Sequence, residues 1–470
     1  MKPILSLLAL TFTLPPLLAG PSEAIAAALF DARKLPPGVR ENTRYLALPD
    51  EEEEIAADWY KVLSFHTNQL SRELDIVRPR RINRNLFAVN LLDYQWDKFT
   101  WEKLSSVEPY FYRQAVPDRF FWPGDKTYPA GWYRNTSKQR LAVFDPYLPA
   151  AVLELVLLTQ SGTPIVRADW WFAQTITQDG REGTGYYDFL GLGKKLTDFE
   201  SLVGLDRKLA ARLRKETAAI VSTSTVALHN RQIFRFQTLT GPYWETLDVK
   251  ESTGQKNALR FLNGDFRAAT DASEIYGTLP NGLFAFFLAD AKGNRANSAP
   301  DFIASDGRST SSDRRVLIGI SCIRCHQPGI QPIDDWGRKA YAAPDALTVV
   351  GEEKYRRLKQ LYLSELERHI RRDQQDYADV LKAVNGLTPQ ENSRLVAWAW
   401  ERYVDRMVTL ETAARDLGST PEKVTATFRE YGTFPRVIDP VLFSLGKGIP
   451  VSRKQLEELY GTAREIMALK

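Results

Sequence analysis

The chain has 470 residues, 44% of them hydrophobic and 26% charged, a composition that suits two or three globular domains. Its 62 basic and 58 acidic side chains leave a net charge of +4, which is too small to indicate nucleic acid as a partner. Beyond the amino terminus the best apolar run, Ala150 to Thr159, is too short to cross a bilayer, so no integral membrane segment is expected in the mature chain.

Lys2 precedes an apolar run from Ile4 to Leu18 that Pro15 and Pro16 interrupt, and small residues follow at Ala24-Ile25-Ala26-Ala27. This pattern predicts a signal peptide over residues 1–26, cleaved near Ala26, and a periplasmic or secreted mature chain. No cysteine stands near that site, so a lipid anchor there is not expected. From Glu53 to Leu74 the positions Ile55, Trp59, Val62, Leu63, His66 and Leu70 recur at helical spacing and predict an amphipathic helix, ended by Pro79. The acidic run Asp50 to Glu54 and the basic cluster Arg78, Arg80, Arg81 and Arg84 read as solvated faces, with steering of a charged partner as the other use.

Extended segments are expected at Leu86 to Leu92, Ala150 to Leu158, Ile165 to Thr175, Gln232 to Leu239 and Leu283 to Ala289, and helices at Thr100 to Tyr112 and Asp206 to Val221. Leu279-Pro280-Asn281-Gly282 and Asp290-Ala291-Lys292-Gly293-Asn294 read as turns on either side of one strand; the second lacks the acidic spacing of a calcium loop. After the apolar run Val316 to Ile320 the pattern becomes helical, at Glu352 to Val384, Pro389 to Leu417, Pro421 to Tyr431 and Ser452 to Ala468, with helix starts at Thr388, Thr420 and Ser452. The expected fold class is α+β: a mixed amino-terminal region, residues 27–314, followed by a mainly α-helical carboxyl-terminal region, residues 315–470, that carries Cys322 to His326.

Cys322-Ile323-Arg324-Cys325-His326 holds both cysteines of the chain and one of its four histidines. Scattered at random, these residues would fall into this order about a few times in a hundred thousand, so the spacing points to covalent haem attachment. Each thiol adds across one vinyl group, the two intervening residues match the sulfur separation to the vinyl separation, and the adjacent imidazole meets the iron. A redox disulfide does not require the histidine. A zinc site would need a fourth ligand, and no second C-x-x-C or H-x-x-x-H supplies one.

Cys322 to His326 resembles the attachment site of c-type cytochromes. Together with Leu279 to Gly282, Asp290 to Arg295 and Ile320 to His326, the stretch from Arg44 to Gly432 resembles a group of large exported bacterial monohaem proteins without an established role. The resemblance implies one haem c, held through Cys322 and Cys325 with His326 on the iron, and one-electron transfer with a redox partner protein; it implies no substrate. Small cytochromes place the motif early in a compact helical domain, and this chain does not.

Candidates for the sixth iron ligand are His66, on the apolar face of its helix, and Met407, in a segment that also reads as an ordinary amphipathic helix; His229, His369 and Met467 are weaker. The proximal imidazole is expected to donate its second N–H to a carbonyl in the loop that Pro328 and Pro332 stiffen. Arg324 and Arg338 are candidates for the haem carboxylates, and Trp336 for its edge. The leading functional expectation is an exported electron carrier. The alternatives are a haem enzyme or a gas or peroxide sensor with an open distal site, and a binding protein that uses haem structurally.

Overall fold

The computed structural model describes residues 21–110, 148–178, 183–213, 215–221, 229–251, 270–299, 304–307, 314–326, 329–362, 366–431 and 440–468. Most of the expected signal peptide, residues 1–20, and Pro328 therefore lie outside the described residues. Both helices and sheets are present, as an α+β chain requires.

The described chain begins with α1 (Pro21–Lys34), followed by β1 (Thr43–Ala47), α2 (Glu53–Gln69), β2 (Arg80–Arg81) and β3 (Leu86–Asn90). After α3 (Lys98–Ser105) and α4 (Leu148–Thr159), β4 (Ile165–Arg167) runs straight into α5 (Ala168–Thr175). The four strands form one sheet in the order β2-β3-β1-β4, parallel only between β1 and β4. Ile25, Ala28, Leu29 and Ala32 of α1 are buried with Val152, Leu155 and Val156 of α4 against Tyr45, Ala47, Leu86, Ala88 and Ile165 of this sheet. A cut near Ala26 would fall inside α1 and remove Ile25, which is 1% exposed, from that core.

Three expected elements differ. Ala150 to Leu158 is helical rather than extended, because its run of Ala, Leu and Glu is compatible with either state and α1 provides a helix to pack against. Ile165 to Thr175 is extended for three residues only. The helix expected over Asp206 to Val221 stops after six residues as α7 (Arg207–Arg212), preceded by α6 (Leu196–Leu202) and capped by Asp206 accepting from the Leu209 amide; Glu216–Val221 is a strand, β5.

β5 opens a six-stranded antiparallel meander with β6 (Arg231–Gln237), β7 (Pro242–Leu247), β8 (Ala272–Thr278), β9 (Phe284–Asp290) and β10 (Arg295–Ala296). Side chains alternate between its two faces. One face packs on α6, where Phe199 lies 5.4 Å from Phe287 and 6.2 Å from Tyr243. The Phe286 and Leu288 amides of β9 donate to the hydroxyls of Tyr186 and Tyr187 at 2.9 and 3.0 Å, which occupies edge groups that short β10 leaves over.

The helices that follow are α8 (Ile320–Cys325), α9 (Trp336–Tyr341), α10 (Glu352–Tyr362), α11 (Leu366–Asn385), α12 (Pro389–Trp400), α13 (Leu410–Asp416), α14 (Pro421–Tyr431) and α15 (Arg453–Ala468). They share one apolar core with the segments before them: that core runs without a break from Leu46 to Met467. α11 crosses the other face of the meander, where Tyr377 stacks on Phe284 at 4.1 Å and Asp373 accepts from Arg235 at 2.7 and 2.8 Å and from the Trp244 indole at 2.9 Å. The turn at Leu279 to Gly282 docks here as well: Asn281 donates to the Asn68 carbonyl at 2.8 Å, and Gly282, at φ 87°, lies where a Cβ would strike Val380. In the second turn Asp290 accepts from the amides of Lys292 and Asn294 at 2.8 Å each, so its carboxylate closes the turn itself.

The acidic and basic clusters expected as solvated faces meet each other. Arg81 pairs with Glu53 and Arg84 with Asp50, both at 2.5 Å, while Arg80 reaches Asp31 at 2.6 Å. No helix among the described residues is long and apolar enough to cross a membrane.

Candidate cofactor-binding site

Beside α11, on the same face of the meander, the strands are roofed by α8, and a cavity of about 350 Å³ lies between them. Arg231 and Ile233 of β6, Trp244 and Thr246 of β7, Glu274 and Tyr276 of β8, and Phe286 of β9 form its floor. The named residues of each of the first three strands are two apart, as one face of a sheet demands, and Ile275 of β8 also borders the space. Cys322, Cys325 and His326 line the roof, so the three residues singled out in the sequence stand together at one wall. Its volume and mixed aromatic and polar lining are those of a small-molecule site.

α8 is set in place from several sides. Gly319 precedes it at φ 78°, and a Cβ there would lie 1.9 Å from the Ile176 carbonyl oxygen, so only glycine lets the backbone approach this closely. Ser393 of α12 donates to the Ile323 carbonyl at 2.7 Å, and Gln331 to the Cys325 carbonyl at 2.7 Å. Three positions apart on a helix, Cys322 and Cys325 share a face. Neither is in a disulfide, and both are partly buried. Burial, reinforced by the nearby Glu274 carboxylate, pushes the Cys322 thiol well above the usual range, so it stays protonated, unlike the thiolate of a redox disulfide pair.

His326 caps the carboxyl end of α8, with its ring edge-on to Tyr276 at 5.2 Å and tilted against Phe286 at 6.2 Å. Its Nδ1 lies 3.1 Å from the Gly329 carbonyl oxygen. A carbonyl can only accept, so Nδ1 carries the proton and Nε2 the lone pair, the tautomer that a metal-ligating imidazole needs. Pro332, one of the two prolines expected to stiffen this loop, lines the cavity.

The other expected residues lie elsewhere. His66 is fully buried in α2, with Nε2 2.7 Å from the Thr175 hydroxyl and its ring between Trp171 and Phe172 at 5.3 and 5.1 Å; it does not line the cavity. Burial drives its pKa down to about 3, so it is neutral. Met407 is 48% exposed in a stretch that links a π-turn at Glu401–Asp405 to α13, and it does not line the cavity either. Among the described lining residues His326 is the only histidine, and there is no methionine. His229, half-buried, precedes Arg231 of the cavity floor by two residues, so its place in the chain adjoins the site. Arg324 is buried 3.5 Å from Asp306, and Arg338 is half-exposed 3.8 Å from Glu367. Trp336 is 41% exposed.

Sequence inspection missed the floor of the cavity. Arg231 is buried, with Nε 2.7 Å from Asp248 Oδ1 and Nη1 3.2 Å from Glu274 Oε2. Thr246 donates to Asp248 Oδ2 at 2.7 Å. Burial pushes the Asp248 carboxyl up to about 6 against the pull of Arg231. The available signal was charged residues alternating with apolar ones in strand-forming segments, a pattern that announces a sheet face with polar work to do.

No protein-family model, curated protein or solved structure matches the chain.

Proposed function

We propose that the protein is an exported monohaem c-type cytochrome that exchanges single electrons with a redox partner protein. The observation that carries this reading is the convergence of Cys322, Cys325 and His326 on one wall of a cavity whose opposite wall is an aromatic sheet face. The donor set fits the cofactor. Two thiols spaced on one helical face form thioethers to the two vinyl groups, His326 presents Nε2, and Trp244, Tyr276, Phe286 and Ile233 offer a flat apolar bed. Bound there, haem supplies reversible one-electron exchange at iron. The chain's part is to orient the imidazole through Gly329 and to keep water from the ring through the sheet and α8. In this reading α8 and the helices after it form the haem-binding carboxyl-terminal region, and the meander supplies its second wall. The signal-like amino terminus supports assembly in the periplasm or outside the cell.

The same lining favours a second reading, an iron with an open distal position that binds a gas or a peroxide, because His326 is the only histidine among the described lining residues and no methionine joins it. His229, two residues before Arg231 in the chain, is the candidate to close that position in the electron-carrier reading.

Expression of the full chain in a host that attaches haem c decides among these. Haem should survive denaturing electrophoresis in the wild type and be lost when Cys322→Ser and Cys325→Ser are combined; covalent haem in the double variant, or none in the wild type, would end the proposal. A reduced spectrum that ignores carbon monoxide, and begins to respond in His229→Ala, supports the electron carrier. A wild-type spectrum that shifts with carbon monoxide supports the open site.

A further inference from the structure

The cavity floor holds an ionic cluster whose hydrogen bonding is unfinished, and two of its residues line the cofactor space. Arg231 is one guanidinium against two carboxylates, Asp248 and Glu274. Asp248 is engaged through both oxygens, by Arg231 Nε and by the Thr246 hydroxyl. Arg231 Nη1 is engaged by Glu274 Oε2. Four buried atoms of the cluster complete no hydrogen bond among the described residues; Arg231 Nε and Asp248 Oδ1 still meet as an ion pair at 2.7 Å, which leaves Arg231 Nη2, a donor, and Glu274 Oε1, an acceptor. Both residues line the cavity, and the Arg231 side chain is only 6% exposed. A buried polar atom left unpaired costs about 1–3 kcal/mol, more when it is charged, so this pair selects for a group that answers both atoms.

Resting on the haem reading above, we infer that Arg231 and Glu274 bind one carboxyl group of the porphyrin in its neutral, protonated form. A carboxylic acid has one carbonyl oxygen to accept from Nη2 and one O–H to donate to Oε1, which matches the two atoms left over. An ionised carboxylate would satisfy Nη2 and present a second negative oxygen to Glu274, in a cluster that already carries one excess negative charge; that is unfavourable where water is scarce. The porphyrin is thereby oriented, with at least one carboxyl edge directed at the meander rather than at solvent.

The test is a porphyrin series on the full chain carrying Cys322→Ser and Cys325→Ser, so that binding is reversible, followed by absorbance and fluorescence quenching. The ligands are iron protoporphyrin IX, its dicarboxamide, which keeps one acceptor and a donor on each group, and its dimethyl ester, which keeps only acceptors. Acid and amide should bind within about threefold of each other and the ester at least tenfold more weakly, since each tenfold corresponds to about 1.4 kcal/mol, the scale of one unmet buried acceptor. Arg231→Met should shrink that discrimination. Equal binding of all three would mean that the carboxyls face solvent and would overturn the inference while leaving the haem reading intact. Tight binding of the acid with amide and ester equally weak would overturn it in favour of an ionised carboxylate. Failure of every porphyrin to bind would remove the haem reading together with this one.

Discussion

Asp416 and Arg231 each sit at the centre of a buried ionic cluster, and the clusters differ in charge balance and in whether the site's cavity adjoins them. Around Asp416, Arg167 gives Nε and Nη2 to Asp169 at 2.8 Å each and Nη1 to Asp416 at 3.0 Å, while Arg453 binds the other Asp416 oxygen. Two guanidiniums face two carboxylates, and Tyr110 and Tyr403 stack on Arg167 and Arg453 at 4.2 and 4.9 Å. Burial works against the Asp416 charge, but the two arginines outweigh it and hold its carboxyl below the usual range. This cluster ties β4 and α5 to α13 and α15 with its charges balanced, although Asp416 Oδ1, at ion-pair distance from Arg167, and Arg453 Nε complete no hydrogen bond among the described residues. Around Arg231 the charges do not balance, and a donor and an acceptor remain on the walls of a cavity. A balanced cluster fastens the fold; an unbalanced one beside open space is shaped for a ligand.

The comparison can be broken from either side. Asp416→Ala takes the shared carboxylate from Arg453 and leaves Arg167 with Asp169 alone, and should cost about 3–5 kcal/mol in urea unfolding, with no effect on how porphyrin is bound in whatever fraction stays folded. A loss below 1 kcal/mol would mean that the cluster is not the fastening it looks like. Gly319→Ala strikes the other side. With φ at 78° and the Ile176 carbonyl in the way, the substitution should cost about 1–3 kcal/mol and displace α8, so that covalent haem yield falls together with stability. Unchanged haem yield would show that α8 finds its place without that close approach.

Much of the roof was legible in the sequence because it is local: five consecutive residues carry the thiols and the imidazole, and the capping pair Thr388 and Glu391 announces α12, which braces them. The floor was not. Arg231, Thr246, Glu274 and Phe286 come together only through pairing along four strands, and of those four only Gln232 to Leu239 and Leu283 to Ala289 were recognised as extended. β5 was hidden because Glu-Thr-Ala-Ala-Ile-Val follows α7 closely and alanines favour helix when no partner strand is in view.

His66 shows how an apolar helical position alone misleads. It lies among aromatic rings as His326 does, yet it packs into solid core and not against open space. Its pKa of about 3 lies below the ordinary 6.5, so beneath pH 6.5 the unfolded chain takes a proton that the fold refuses. Stability from this site is therefore complete above pH 6.5 and is lost as pH falls toward 3, by about 1.4 kcal/mol per unit. Unfolding free energies at several pH values should show that slope in the wild type and lose one proton's worth of it in His66→Gln; equal slopes would mean that His66 titrates normally in the fold.

Met407 should produce the smallest effect, and the reason is its strand-like setting. Next to it Val408 is fully buried and exchanges backbone hydrogen bonds with Val451 at 2.7 and 3.1 Å, so alternation turns the Met407 side chain the other way, to 48% exposure. The helix expected across Pro389 to Leu417 is interrupted here by the π-turn and this short bridge. Met407→Ala should shift stability by no more than about 0.5 kcal/mol and leave the reduced visible spectrum unchanged, with or without carbon monoxide. A change in that spectrum would return a methionine sulfur to the iron, and would require the segment to rearrange on haem attachment.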